Sequence, residues 1–340
     1  MDEVNWWLIG GGLSVGVIFG ALMQRSRFCM VAATRNMMLM KDYRQAFAFV
    51  AAWVIAIGGT QLLELMEIVD IGDSFYRNST LDWFGASLGG VLFGVGATMA
   101  RGGAIRTITA SMEGNLHALL ALLMFAIVGA VTQFGFLETA RVNLTNLTAV
   151  ELQTDAGIAS MLSLPAWLPA AAVVLGLVAF LVFSWRRGGS MPLALTGIVI
   201  GGLVVASWYI TGVVAQDEFD PTHPSAMTVS GPMARLGYIL ISGKIPAFSF
   251  SISFVIGAAI AALISAVATG QFRITPIQKG MTKYSILGGI LMGIGGVVAY
   301  GCNVGQGLSG ISTLSVESLL AVLGMIAGTT MCVKWWDTRY

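Results

Sequence analysis

Nine long apolar segments run through this chain of 340 residues. They comprise residues 6–23, 45–63, 81–100, 116–137, 165–185, 191–213, 248–269, 284–299 and 316–333. A helix needs about 20 mostly apolar residues to cross the hydrocarbon core of a bilayer. Charged residues make up only 10% of the chain, whereas a soluble domain carries about 25%. The sequence therefore predicts an all-α polytopic membrane protein with about nine full spans.

Four shorter apolar pieces lie between the spans, at residues 28–40, 104–112, 232–241 and 303–314. Each piece is too short to cross a bilayer core that is about 30 Å thick. Irregular backbone at membrane depth is tolerated only where protein buries it or where it lines a water-filled cavity. We therefore expect four re-entrant half-helices, each preceded by a break in the chain.

A glycine pattern recurs before each break, with two glycines spaced as G-x-x-x-G. The pairs are Gly16/Gly20, Gly90/Gly94, Gly197/Gly201 and Gly289/Gly293. The position nine residues after the second glycine holds, in turn, Cys29, Gly103, Ile210 and Cys302. G-x-x-x-G recurs by chance in glycine-rich membrane proteins. The shared offset to the breaks instead favours a true internal repeat.

Loop charges give the repeats a direction, because short cytoplasmic loops are enriched in Lys and Arg. The basic loops contain Lys41 and Arg44; Arg186 and Arg187; Arg273, Lys279 and Lys283; and Lys334 and Arg339. We therefore expect the N-terminus outside and the C-terminus in the cytoplasm. The first two units then run inward and the last two outward. This predicts two inverted halves, residues 1–163 and 164–340, in one membrane domain, with a substrate site where the helices break.

The two cysteines at the breaks are candidates for a substrate path. Cys29 and Cys302 occupy equivalent positions in the two halves, so we expect them to approach one central region. A neutral thiol gives a weak, polarizable contact, and a fixed cation would hold a passing anion too tightly. The alternative is that each cysteine is a small buried hydrophobe, which is the interpretation we keep for Cys332. Two neighbours of Cys302, Asn303 and Gln306, add neutral hydrogen-bonding groups or else cap the half-helix.

Three arginines flank the breaks and are candidates for attracting an anion. Arg27 precedes Cys29, and Arg101 and Arg106 lie on either side of Gly103. Arginines at membrane depth are costly and usually functional. The alternative is that they reach toward water at the membrane surface. The net charge of +1 and the two separated histidines give no sign of a nucleic-acid partner, a metal site or another cofactor.

The chain resembles the YeeE/YedE family of bacterial sulfur-transport membrane proteins. The motifs that carry this resemblance are SRFCM (residues 26–30), RGGAIRT (101–107), EGN (113–115) and YGCNVGQGLSG (300–310). It implies an hourglass of helices and half-helices with cysteines along a central path. It also implies uptake of thiosulfate across the bacterial inner membrane, often beside a small cytosolic sulfur-carrier protein.

One position departs from the family pattern. The family has a cysteine in its second motif, in a pattern such as G-C-A-x-R, where this chain has Gly103. We expect a missing middle thiol and a wider constriction. A larger or differently handled sulfur species, or a sensing role, then stands beside thiosulfate as an alternative.

These features predict a non-enzymatic importer of a small sulfur-containing anion, with membrane lipid as its surroundings. The first alternative is a membrane sensor, signal-transduction or scaffold protein that binds sulfur species without net flux. The second is a membrane redox enzyme that uses Cys29 and Cys302 as a dithiol. No phosphate-binding loop of the G-x-x-x-x-G-K-[ST] type is present, so direct use of ATP is not expected.

Overall fold

The computed structural model describes residues 5–216, 223–243, 248–278 and 280–337. Its helices are α1 Trp6–Ser26, α2 Met30–Met40, α3 Arg44–Leu65, α4 Trp83–Met99, α5 Ala104–Met112, α6 Leu116–Phe134, α7 Glu138–Thr148, α8 Ile158–Met161, α9 Trp167–Arg186, α10 Met191–Tyr209, α11 Ser230–Ser242, α12 Phe250–Ala268, α13 Thr282–Val298 and α14 Val316–Asp337. Two π-helical turns, Ile210–Val214 and Gly305–Gly310, follow α10 and precede α14. A single 3₁₀ turn, Phe75–Arg77, lies between α3 and α4.

The predicted membrane class is confirmed. Among the described residues, eight helices are long and apolar enough to cross a membrane. The span predicted at residues 284–299 corresponds to α13, which is apolar but has only 17 residues. The protein is therefore an all-α polytopic membrane protein.

The connection between α6 and α9 contains structure that the hydropathy pattern missed. It includes α7, α8 and the strand β2 Val150–Glu151, which pairs antiparallel with β1 Thr80–Leu81. No residue of α7 is buried, and its polar composition gives it no apolar stripe for the sequence to reveal. Hydrogen bonds from the Thr145 hydroxyl to Asp82 and from the Ile158 N–H to the Leu314 carbonyl join this segment to the helical bundle.

The four short apolar pieces are separate elements after breaks, as predicted. They form α2, α5, α11 and the turn Gly305–Gly310. The N-terminal residues of α2 are buried, while its last three residues are exposed. Helix α11 shows the same order: Ser230 at its N-terminus is buried, and Leu240 near its C-terminus is exposed. These short helices thus direct their N-termini, with their unpaired backbone N–H groups, into the protein.

The breaks share a backbone conformation as well as an offset. Arg27, Arg101 and Tyr300 each adopt a left-handed conformation, with φ of 53°, 64° and 52°. Each lies two residues before the position occupied by Cys29, Gly103 or Cys302. Residues other than Gly rarely adopt this conformation, so its recurrence reflects one chain path used three times. The third unit differs, because the helix α10 continues as a π-helical turn.

The glycine pairs allow helices from opposite ends of the sequence to pack closely. A Cβ at Gly16 of α1 would collide with the carbonyl oxygen of Phe254 in α12, and one at Gly94 of α4 with that of Met325 in α14. The same kind of contact joins α10 to α3 and α13 to α6. Small residues at such interfaces let the backbones of membrane helices approach each other. Each glycine helix therefore packs against a helix of the other half of the chain.

Candidate substrate path

The second and fourth breaks meet inside the protein. A Cβ placed on Gly103 would lie 2.6 Å from Oδ1 and 2.8 Å from Nδ2 of Asn303. The first break reaches the same region, because a Cβ on Gly307 would lie 3.9 Å from Sδ of Met30. Cys29, the residue before Met30, and Cys302 belong to one buried cluster and are 3% and 0% exposed. The structure thus brings the predicted path residues of three breaks together.

Cys302 is held by the backbone of its own break. Its Sγ accepts a hydrogen bond from the backbone N–H of Val304 at 3.4 Å. Its carbonyl oxygen accepts from the N–H groups of Gln306 and Gly307 at 2.8 and 3.2 Å. The indole N–H of Trp53 in α3 donates to the carbonyl of Gly307 at 2.6 Å. These bonds hold the backbone of the fourth break in place around the sulfur.

Both ends of the Gln306 carboxamide are hydrogen-bonded within the protein. Its Nε2 donates to the carbonyl of Ala299 at 2.8 Å, and its Oε1 accepts from the hydroxyl of Ser318 at 2.5 Å. The residue is 1% exposed. Gln306 therefore joins the end of α13 to the first turn of α14 across the break, which is more than local capping.

The expected wider constriction at Gly103 is wrong. The carboxamide of Asn303 fills the volume that a side chain at position 103 would occupy. Interiors pack densely, so a missing side chain on one segment is commonly replaced by a side chain from another. The group at this point is therefore an amide from the fourth break, where the family pattern places a thiol from the second.

The three flanking arginines have different surroundings. Arg106 forms a two-point ion pair with Glu113, with N–O distances of 3.1 and 3.3 Å. Its charge is largely offset by that carboxylate. Arg27 and Arg101 are exposed, and a nitrogen of the Arg101 guanidinium lies 3.9 Å from Sδ of Met281. Arg101 is thus the less compensated charge beside the second break.

A cavity of about 220 Å³ opens at the second break. Arg101, Gly102, Arg106, Asn115, His117 and Gln278 contribute polar groups or backbone to its wall. The buried Nε2 atom of His117 has no hydrogen-bond partner in the structure. The cavity therefore presents one largely uncompensated guanidinium and neutral hydrogen-bonding groups. We call it the inner cavity.

A second cavity, of about 470 Å³, opens at the fourth break. Arg141 of α7 and Arg235 of α11 line it, together with the aromatic rings of Tyr76 and Tyr300. Neither arginine has an ion-pair partner within the part of the chain that the structure describes. The N-terminus of α11 at Ser230 also faces this space, where unpaired backbone N–H groups favour an anion. We call it the outer cavity.

Arg141 and Arg235 were missed by the sequence reasoning. Arg141 lies in α7, which the hydropathy pattern did not reveal. Arg235 lies inside the third predicted half-helix, residues 232–241. A charged residue within such an apolar piece is the signal that would have identified it.

The two cavities lie at opposite ends of α6. His117 of the inner cavity is in its first turn, and Gln133 of the outer cavity is in its last. At 1.5 Å per residue these positions are about 24 Å apart along the helix axis, close to the thickness of a bilayer core. The contact between Gly103 and Asn303 joins the break beside one cavity to the break beside the other.

Tyr76 stands at the boundary between the outer cavity and the fourth break. It lines the cavity, and a Cβ on Gly310 would lie 2.9 Å from its ring. Burial raises the pKa of Tyr76 far above its usual range. The phenol is therefore neutral at any physiological pH and presents a hydroxyl group rather than a negative charge.

Comparison with known proteins places the chain in a family. It is 25% identical to the thiosulfate transporter TsuA of Escherichia coli, over 94% of this chain and 92% of that protein. It is 26% identical to the thiosulfate transporter TsuA of Spirochaeta thermophila, over 94% and 97% of the two chains. The sulphur transport family matches residues 25–331. The resemblance to YeeE/YedE proteins is thereby confirmed, and the chain belongs to the sulphur transport family.

Proposed function

We propose that the protein imports a sulfur-containing anion, thiosulfate or a related species, across the bacterial inner membrane. The observation that carries this proposal is the pair of arginine-lined cavities at opposite ends of α6, each ending at a buried break. The two relatives named as thiosulfate transporters support the substrate class. The protein acts as a transporter and not as an enzyme.

The outer cavity concentrates the anion. Arg141, Arg235 and the N-terminus of α11 give it a positive potential, and charged clefts of this kind raise the local concentration of an oppositely charged substrate. The wall also carries hydroxyl groups from Thr228 and Ser249, which can donate hydrogen bonds to oxygen atoms of the anion.

The anion then crosses between the breaks, past Cys29, Cys302, Gly103 and Asn303. These side chains carry no fixed positive charge, so they bind the anion weakly enough to release it. Gln306 stabilises the backbone of the fourth break through its two hydrogen bonds. Arg101 attracts the anion into the inner cavity, with lesser contributions from the paired Arg106 and the exposed Arg27. A small cytosolic sulfur-carrier protein receives it there.

Inverted halves, residues 1–163 and 164–340, explain the helix packing. Helix α1 packs on α12 while α10 packs on α3, and α4 packs on α14 while α13 packs on α6. A two-fold axis in the membrane plane produces such an exchange of partners. The two opposed cavities then form the hourglass, with membrane lipid around its outside.

Loop charges support an external N-terminus and a cytoplasmic C-terminus. The side chain of Asn5 donates to the carbonyl of Ala215 at 2.8 Å, at the end where Asp70, Asp73 and Asp155 also lie. Arg187 stacks near Tyr43 at the opposite, basic end. Lys279 and Arg339, and the acidic residues at 217, 218 and 220, lie outside the described residues.

The test is uptake of ³⁵S-thiosulfate by cells that lack other routes for it. We expect accumulation with the wild-type protein and a rate about tenfold lower for Cys29→Ala and for Cys302→Ala, equivalent to about 1.4 kcal/mol in the barrier. Arg235→Gln should raise the KM about fivefold while leaving the maximal rate nearly unchanged, because the cavity acts by raising the local concentration of anion.

Cys332→Ala is the matched control, because Cys332 lies near the end of α14 and away from the breaks; its uptake should equal that of wild type. Wild-type rates in both break-cysteine variants would refute the role of the thiols. Binding of thiosulfate to the purified protein without accumulation in sealed vesicles would favour the sensing alternative.

A further inference from the structure

Asn303 is a buried polar side chain of the fourth break that the scaffold leaves partly unsatisfied. Its Oδ1 is buried and has no hydrogen-bond partner, and the residue is 2% exposed. Its neighbours in the same break differ. Gln306 is bonded at both ends, and the hydroxyl of Ser309 donates to the carbonyl of Met227 at 2.7 Å.

A buried polar group without a partner is costly and rare in folded proteins. It persists where it serves something other than the fold, such as a bound ligand. The carboxamide has an acceptor at one end and two donors at the other. Rotation of the group by half a turn places the N–H donors where the unpaired oxygen now lies.

Gly103 is the surface on which this carboxamide rests. A Cβ at position 103 would lie within 2.8 Å of Cγ, Oδ1 and Nδ2 of Asn303, closer than real Cβ atoms approach other atoms. Any side chain at 103 therefore displaces the amide. The glycine and the asparagine form one unit, since the absence of a side chain in the second break makes room for the amide from the fourth.

We infer that Asn303, seated on Gly103, determines which anion passes the centre of the path. Its amide donates a neutral hydrogen bond to an oxygen atom of a sulfur oxyanion, and it takes the central place that a thiol would otherwise hold. A neutral donor suits an anion that must also leave. This inference rests on the proposed transport function and assigns its selectivity to a single contact.

The experiment measures uptake of ³⁵S-thiosulfate in the same cells, with unlabelled thiosulfate, sulfite or sulfate as competitor. Asn303→Asp keeps the shape of the side chain, removes the donors and adds a negative charge. Asn303→Ala removes the whole carboxamide, donors and acceptor alike, and adds no charge. We expect uptake to fall about tenfold or more in both variants, and the order of the competitors to change in Asn303→Ala, because the contact that ranks the oxyanions is gone.

Gly103→Ala tests the contact between Gly103 and the carboxamide of Asn303. It should reduce uptake about tenfold, and the double variant Gly103→Ala/Asn303→Ala should be about as slow as either single variant rather than about a hundredfold slower than wild type, because both changes remove the same amide contact. Gly176→Ala is the matched control, since Gly176 is an exposed residue of α9 that lines neither cavity, and a Cβ there meets no atom within 4 Å; its uptake should match wild type. Thermal unfolding of each purified variant shows which of them fold.

The outcomes separate this inference from the proposed function. If Asn303→Asp and Asn303→Ala both take up thiosulfate at the wild-type rate and with the wild-type order of competitors, the role of Asn303 is overturned. The transport function would still stand. A double variant about a hundredfold slower than wild type, as two independent sites would give, would overturn the coupling of the two residues. Absence of uptake of any sulfur anion by the wild-type protein would overturn both.

Discussion

Neighbouring amide side chains in the fourth break have different roles because they have different partners. Gln306 and Asn303 are three residues apart, both are buried, and both carry a neutral carboxamide. Gln306 finds a carbonyl for its N–H group and a hydroxyl for its oxygen, so it stabilises the break. Asn303 retains an unpaired oxygen, so hydrogen bonds to the scaffold do not hold its carboxamide in one orientation. Residue type alone does not distinguish them.

This difference predicts the effect of removing the Gln306 amide. Gln306→Leu leaves the carbonyl of Ala299 and the hydroxyl of Ser318 buried without their partner, which should lower the free energy of unfolding by about 2–4 kcal/mol. The measurement is the denaturation midpoint of the purified protein in detergent.

The double variant Gln306→Leu/Ser318→Ala serves as the control. It removes one of the two unpaired groups and should recover part of the loss, because deleting both partners of a hydrogen bond costs less than deleting one. If Gln306→Leu were as stable as wild type, the stability of the break would not depend on the hydrogen bonds of Gln306.

At the scale of the helices, small residues determine which elements pair. The glycines on one face of α10 contact the backbone of α3, where a Cβ at Gly201 would lie 2.6 Å from the carbonyl oxygen of Ala52. The next residue, Gly202, points away, and a Cβ there would meet no atom within 4 Å. Adjacent glycines in one helix thus allow a direct test of close packing.

We expect Gly201→Ala and Gly202→Ala to change stability in opposite directions. The first separates α10 from α3 and should destabilise the protein by about 1–3 kcal/mol, as overpacking commonly does. The second should be neutral or should stabilise by up to about 1 kcal/mol, because alanine is the better helix former. Unfolding midpoints of the two purified variants are compared under the same conditions. Equal midpoints would contradict the packing account.

At the scale of the whole molecule, the loops at one end of the helices are richer in acidic residues and the loops at the other end are richer in basic residues. The guanidinium of Arg77, 4% exposed, pairs with Glu64 and with Asp155 at 3.4 Å, which ties the loops of the acidic end together. The basic end carries Arg187 and the exposed Arg44. This polarity is the physical basis of the proposed orientation.

Reaction of introduced cysteines with a membrane-impermeant thiol reagent tests that orientation. Asp73→Cys, at a side chain that is 57% exposed, should be labelled in cells whose inner membrane is intact. Arg187→Cys should be labelled only after permeabilisation. The native cysteines are buried, so wild type supplies a low background. The reverse pattern would place the N-terminus in the cytoplasm.

The sequence by itself predicted the spans, the four short apolar pieces and three of the four breaks. These features are local: the length of an apolar run decides whether a helix can cross a bilayer. The glycine spacing marks where helices approach closely. Cys29, Gly103 and Cys302 were identified by their shared offset from those glycines, which needs no knowledge of contacts.

The tertiary structure alone decided what surrounds each position. The contact of Gly103 with Asn303 joins residues 200 positions apart, and it replaced the expected gap with an amide. The same holds for the outer cavity, where Arg141 and Arg235 meet from separate helices. Such juxtapositions depend on how whole helices pack, because the free energy of a side chain is set by neighbours that its local sequence does not contain.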